Sequence, residues 1–408
     1  MRILMLSWEY PPHVIGGLGK HVSELVPALV GQGVEVHLVT PRLHGGEARA
    51  VIGETTPAAD GPTSTVYRVD PPANSEHDFF TRVTRTNIVL EQFARELWEK
   101  IGPFALIHAH DWLVAPAAVG LKHAYRTPLL ATIHATEYGR CRGHINGEMS
   151  RAINNVEWWL SYEAWRVICC SGFMASEVQR ALQAPPDKID VIPNGVDTRR
   201  FDALDGEDLR DFRRGYAAPD EQMIFYVGRI VHEKGVHLLV EAMPRILAAR
   251  PRTKLVVAGT GGYLDAVRQR AYDLGIGDRC YFTGYVPDGV RDRLFRVADV
   301  AVFPSLYEPF GIVALEAMAA RTPVVVAEVG GLAEVVRHGE TGITVYPDNV
   351  DSLVWGILHT LDRPDWARQR AENAYRVVIE QYNWAVIAGR TIDVYRRIVD
   401  ERAHVRWD

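Results

Sequence analysis

A chain of 408 residues with 47% hydrophobic content exceeds what one core usually supports, so two domains are expected, each able to bury a full sheet. The net charge of −6, with no long basic run to offset it, argues against a nucleic-acid partner and against strong attraction to anionic lipid. No stretch approaches the roughly eighteen apolar residues of a membrane helix, and Met1 leads straight into an apolar strand without a leader peptide, so the chain reads as cytoplasmic with no transmembrane span.

From the N-terminus, short apolar runs alternate with amphipathic helical stretches, the pattern of parallel sheets flanked by helices in an α/β protein. Strands are expected at Ile3 to Ser7, Glu35 to Thr40, Ala105 to His108, Leu129 to Ile133, Arg166 to Cys170 and Lys188 to Ile192. The segment from Gly45 to Thr65 is rich in Gly, Ala, Pro and Thr with little periodicity, and reads as a mobile loop over the first domain. Trp158, Trp159 and Trp165 fall in an amphipathic stretch near Glu157 and Glu163; core packing is the favoured reading, and a glucan-stacking or membrane-facing patch is the sharper alternative. The turn-rich piece from Pro193 to Phe201 and the charged stretch from Asp202 to Asp220 mark a domain boundary. The second half repeats the scheme, with strands expected at Met223 to Gly228, Lys254 to Ala258, Arg279 to Thr283, Val300 to Phe303, Pro323 to Ala327 and Gly342 to Val345. The stretch from Trp384 to Val405 is helical in pattern and is expected to cross back onto the first domain. This gives domains at 1–197 and 198–383 and a terminal helix within 384–408. Cys141, Cys169, Cys170 and Cys280 lack metal spacing and read as buried free thiols.

The loop after the first strand carries Gly16, Gly17 and Gly19, and glycines let a backbone approach a phosphate or sugar closely. Neither standard phosphate motif is complete. Gly19-Lys20 is followed by His21 rather than Ser or Thr, and Val22 stands where a dinucleotide loop wants its third glycine, so the loop reads equally well as a packing turn. His110 and Asp111 follow one strand and His134 follows the next, which places them on the rim where ligands reach the first sheet. His108-x-His110-Asp111 offers ligand types for a metal, yet no further ligand cluster accompanies it in sequence, and no metal is expected. His134 is either a hydrogen-bonded rim histidine or a contact to a transferred sugar.

In the second half, Arg229 and Lys234 lie just beyond the carboxyl end of the first strand, where ligands bind in open α/β sheets. A departing nucleoside diphosphate gains about one negative charge. A cation about 4 Å away, at an effective dielectric near 20, is worth up to about 4 kcal/mol, or roughly 1000-fold in rate. The segment from Phe303 to Met318 is the most informative: Glu308 sits in a strand-to-helix turn and Glu316 about one helical turn inside, with the helix starting just past Gly311. The free N–H groups of that start make an anion site. Two carboxylates no more than about 12 Å apart suit opposite ends of a nucleotide-sugar, with the diphosphate over the helix start.

Together the Gly16-Gly17 loop, His108-Ala109-His110-Asp111-Trp112, Thr132-Ile133-His134-Ala135-Thr136-Glu137, Pro193-Asn194-Gly195-Val196-Asp197, Gly228-Arg229 with Lys234-Gly235, and the pair Glu308 and Glu316 resemble glycosyltransferase family 4, retaining enzymes of GT-B fold, over essentially the whole chain. Within that family the chain looks most like the glycogen-synthase-like α-1,4-glucosyltransferases, including the actinobacterial branch that elongates methylglucose-containing glucans. The resemblance implies two Rossmann-like doubly wound domains facing across a cleft, a glucosyl donor such as ADP-glucose or UDP-glucose, an α-glucan or oligosaccharide acceptor, and no required metal or cofactor. Carried over by position, Arg229 and Lys234 bind the diphosphate, Glu316 the ribose and Glu308 the donor glucose. His134 contacts the donor sugar near its C6 hydroxyl, backbone around Gly16, Gly17, Gly311 and Ile312 holds phosphate or sugar oxygens, and Tyr285 and Val286 flank the base. Bacterial glycogen synthases of a larger, separate family carry Lys-Thr before the paired glycines, whereas this chain has Val14-Ile15, which leaves the donor base open. Other readings keep a similar ligand site: a family 4 transferase acting on a lipid, sugar phosphate or small glycoside, an epimerase or phosphorylase, or a non-catalytic nucleotide-sugar sensor.

Overall fold

Internal contacts divide the chain, in a computed structural model that describes residues 1–52, 64–73 and 78–407, into two units. The first joins Met1–Gly195 to Trp384–Asp408, and the second is Val196–Asn383.

The first unit holds β1 (Arg2–Leu6), β2 (Glu35–Pro41), β3 (Arg49–Val51), β4 (Thr65–Val69), β5 (Leu106–His110), β6 (Leu129–Ile133), β7 (Arg166–Cys169) and β8 (Ile189–Val191), in the order β3-β4-β2-β1-β5-β6-β7-β8. Pairing is parallel except between β3 and β4. Its central strands are near-continuous aliphatic runs because helices cover both faces. On one face the helix Gly17–Val30 turns Leu18, Val22, Leu25, Val26 and Leu29 inward, a 3.6-residue stripe that meets Ile3, Met5, Val36 and Leu38. The terminal helix Trp384–Ala403 joins the same apolar cluster through Ile387, Ile392 and Tyr395.

Two expectations for this unit need correction. The stretch from Gly45 to Thr65 is not one loop, because Arg49–Val51 forms β3 against β4, which begins at Thr65; residues 53–63 lie outside the described ones. A three-residue edge strand leaves too short a pattern to read. Nor do the tryptophans share one role: Trp165 is partly buried and packs against the apolar cluster, whereas the helix Glu148–Glu163 turns Ile153, Glu157 and Leu160 inward, a spacing of four and three. Trp158, one residue on from Glu157 and so turned about 100° away, is 42% exposed and stacks on Tyr162.

The second unit holds β9 (Gln222–Val227), β10 (Thr253–Ala258), β11 (Cys280–Gly284), β12 (Val300–Phe303), β13 (Val324–Ala327) and β14 (Ile343–Val345), all parallel, in the order β11-β10-β9-β12-β13-β14. Strand order therefore reverses between β1 and β5 in one sheet and between β9 and β12 in the other. At such a reversal the helices on either side leave in opposite directions and open a crevice at the carboxyl ends of the strands. Among the described residues no helix is long and apolar enough to cross a membrane. The four cysteines are free; Cys169, Cys170 and Cys280 are buried and Cys141 half-buried.

Candidate active site

Each reversal point carries a cluster of polar residues. In the first unit the loop after β1 wraps around Glu9, which is buried. Its Oε2 accepts hydrogen bonds from the backbone N–H groups of Ile15 at 2.8 Å, Gly16 at 3.1 Å and Gly19 at 3.2 Å. The glycines expected to approach a ligand thus close first on a carboxylate of their own chain. Gly19 is required here, since a Cβ would stand 2.6 Å from that oxygen. Glu9 carries little signal in the sequence beyond being an acid seven residues before the paired glycines.

Beside this loop the fold gathers imidazoles from three elements. His21 comes from the helix Gly17–Val30, His110 from β5, and His134 from the end of β6; one ring nitrogen of each lies within 4.8 Å of the others. His110 Nδ1 is 3.1 Å from His134 Nε2, and His21 Nδ1 donates to Asn194 Oδ1 at 2.7 Å. Nε2 of His21 and of His110 find no partner among the described residues. No ligand cluster near His108 and His110 is visible in the sequence, because residues 21 and 134 are far away in the chain and only the fold brings them near. His110, expected on the rim, lies deeper. β5 runs two residues further than expected, so His110 is still within the strand and fully buried, while His108 is locked between Tyr395 Oη at 2.8 Å and Thr132 Oγ1 at 2.7 Å.

Burial keeps these rings neutral. It pushes His21 down to about 4 and His108 down to about 3, with His110 and His134 also well below the usual range. Neutral, close-set imidazoles can accept a hydroxyl proton or ligate a cation. Asp111 follows β5 with a left-handed φ of 60° and accepts the His134 backbone N–H at 2.7 Å. Burial pushes its carboxyl up to about 7 despite that bond and the charge of Arg140. Burial likewise carries Glu157 up to about 8, against Arg140 2.9 Å away and the Glu137 N–H.

In the second unit Lys234 Nζ lies 2.8 Å from Glu308 Oε2. The cation follows β9 and the acid follows β12, adjacent strands on either side of the order reversal. Backbone contacts fix both loops. Leu306 N–H and Tyr307 N–H donate to the Glu233 carbonyl at 2.8 and 3.3 Å, and Gly331 N–H donates to the Glu308 carbonyl at 2.9 Å. Gly235, at φ 68°, lies so close to the second loop that a Cβ would stand 1.9 Å from Pro304 O. Arg229, half exposed, leans toward Glu233 at 3.8 Å.

Gly311, at φ 103°, caps the helix Ile312–Ala319, which carries Glu316. Glu316 is 2% exposed, and its Oε1 is held by Arg200 at 3.2 Å and Arg291 at 3.1 Å, with Asp288 and Asp292 on the same guanidinium groups. Neither arginine stands out in the sequence; Arg200 comes three residues after the Pro193-Asn194-Gly195-Val196-Asp197 motif, which was the available clue. Tyr285 is 76% exposed beyond β11, with Val286 partly buried beside it.

The chain is similar to known proteins along its whole length. Residues 15–200 match the family model described as Glycosyltransferase Family 4, and residues 209–377 the one described as Glycosyl transferases group 1. An uncharacterised glycosyltransferase of Methanocaldococcus jannaschii is 40% identical, covering 97% of this chain and 98% of its own. A glycogen synthase of Mycobacterium tuberculosis is 37% identical over 97% of this chain and 94% of its own. Among solved structures, a sucrose-phosphate synthase from Thermosynechococcus elongatus superposes with a TM-score of 0.79 at 25% identity, covering 98% of this chain and 99% of its own.

Proposed function

The chain belongs to glycosyltransferase family 4, of GT-B fold, and from that premise we propose that it moves glucose from ADP-glucose or UDP-glucose to an α-1,4-glucan or related oligosaccharide, with retention at the anomeric carbon. The relative named a glycogen synthase supports the glucan acceptor. The observation that carries the chemistry is the Lys234 and Glu308 pair at the strand-order reversal of the second sheet.

In this reading Lys234 and Arg229 stabilise the charge that builds on the departing diphosphate, Glu308 holds the donor glucose and Glu316 the ribose side. The Gly311 turn supplies backbone N–H groups to phosphate oxygens, Tyr285 and Val286 flank the base, and His134 contacts the glucose. The bond from the anomeric carbon to the phosphate oxygen breaks as the acceptor oxygen attacks from the same face. The acceptor's proton passes to the leaving phosphate oxygen, so neither an enzymic nucleophile nor a metal takes part. Positioning and fixed charge do the work.

The experiment is a panel of ADP-, UDP- and GDP-glucose against maltooligosaccharides and against hexose phosphates, read by nucleoside diphosphate release and by the anomeric configuration of the product. Hexose phosphates are included because the superposed sucrose-phosphate synthase is named for a phosphorylated product. Diphosphate release that ignores every acceptor, or an inverted product, refutes the reading.

A further inference from the structure

At the far edge of the second sheet, the carboxyl ends of β13 and β14 and the first turns of the helix Val350–Leu361 enclose a groove of about 700 Å³. We propose that this groove is a second carbohydrate site, which holds a segment of an α-glucan away from the Lys234 and Glu308 pair; the choice of glucan rests on the function proposed above.

The lining decides the ligand class. Glu328, His338, Tyr346, Asn349, Asp351 and Trp355 face the groove, and the Arg245 side chain that reaches Asp351 is engaged in that ion pair, a charge balance that disfavours phosphates and nucleotides. Two large aromatic side chains are open to solvent there, Trp355 at 48% and Tyr346 at 69%. A pyranose presents a flat C–H face suited to an aromatic ring and a hydroxyl edge suited to carboxylate and amide oxygens, and this groove offers both kinds of surface. The Glu328 carboxylate has no hydrogen bond or ion pair among the described residues, so its oxygens are available to hydroxyl donors.

The platform is also held in place before any ligand arrives. Tyr346 N–H donates to Ser352 Oγ at 3.0 Å, and Asn349 Oδ1 caps the helix by accepting Ser352 N–H at 2.8 Å. The Trp355 ring neighbours His338, nearly parallel at 14° with 6.1 Å between ring centres, and His359 at 5.1 Å. A preset aromatic surface loses little freedom on binding. A second site on one chain also raises the local concentration of a polymer whose end is being extended.

The test uses the full chain in native gels containing glycogen, with Trp355→Ala, Trp355→Phe and a maltotriose transfer assay run alongside. The expected result is that Trp355→Ala weakens retardation by about tenfold, Trp355→Phe restores most of it, and nucleotide release with maltotriose stays within about twofold of wild type in every variant. Equal retardation of wild type and Trp355→Ala, with unchanged melting, overturns the proposal. So does a wild type that is not retarded at all. If that wild type still extends maltotriose, the proposed function stands without the second site; if it extends no maltooligosaccharide, both fall.

Discussion

Lys234 and Glu308 stand 2.8 Å apart although 74 residues separate them in the chain. Each sits on a loop that leaves the sheet at the point where strand order reverses, and Gly235 allows these two loops to touch backbone to backbone, while Gly331, on the loop after β13, lets that third loop close on Pro309 and Phe310. A cation held this way is already in position when negative charge grows on a leaving group, so no side chain must reorganise during the reaction.

Lys234→Ala is therefore expected to cut turnover by about two decades or more, within the roughly 4 kcal/mol that a nearby cation supplies, while melting shows an intact fold. Glu308→Gln should instead raise the donor KM more than it lowers kcat. Steady-state nucleotide release measures both; near-normal turnover in Lys234→Ala sinks the assignment.

Gly235→Ala tests the loop contact itself. The added Cβ meets Pro304 O at 1.9 Å in a conformation that L side chains rarely adopt, and neither backbone can yield without breaking the Leu306 and Tyr307 hydrogen bonds to Glu233. Expected is a loss of at least about 2 kcal/mol in urea unfolding together with activity as low as that of Lys234→Ala. Wild-type stability in this variant would mean the two loops are not apposed as described.

Glu9→Ala leaves three loop N–H groups without their acceptor, at about 1 to 3 kcal/mol for each that stays buried. Hydrogen exchange should show faster exchange at Ile15, Gly16 and Gly19 with the sheet amides of β1 and β2 unchanged. Unaltered protection at those three amides counts against the clasp.

Stability should pass through a maximum near pH 6.5. Burial depresses His21, His108, His110 and His134, so the unfolded chain binds four more protons at these rings below about pH 6.5, and acid unfolds the protein. Asp111 and Glu157 are raised to about 7 and about 8, so there the folded chain keeps protons that the unfolded one loses, and stability falls as pH rises toward 8. Between about pH 4.5 and 6.5 the four rings outnumber the two acids and the net slope is upward. Urea midpoints across pH 4.5 to 8 check this, and a midpoint that declines steadily over the acid half contradicts it.

The sequence by itself determined the α/β class, because apolar runs of strand length alternating with amphipathic stretches can be satisfied only by a sheet with helices on both faces, and the central strands fell within two residues of their expected places. It also marked Lys234, Glu308 and Glu316, since the turns at the carboxyl ends of β9 and β12 are short and their motifs are local. Tertiary structure alone decided what those groups meet: that Glu316 is gripped by Arg200 and Arg291, that Glu9 fills the loop of glycines, and that His21 and His134 close on His110. Such meetings depend on strand order and on which helix face turns inward. A periodicity of two or 3.6 residues records burial along one element and carries no information about which distant element lies opposite.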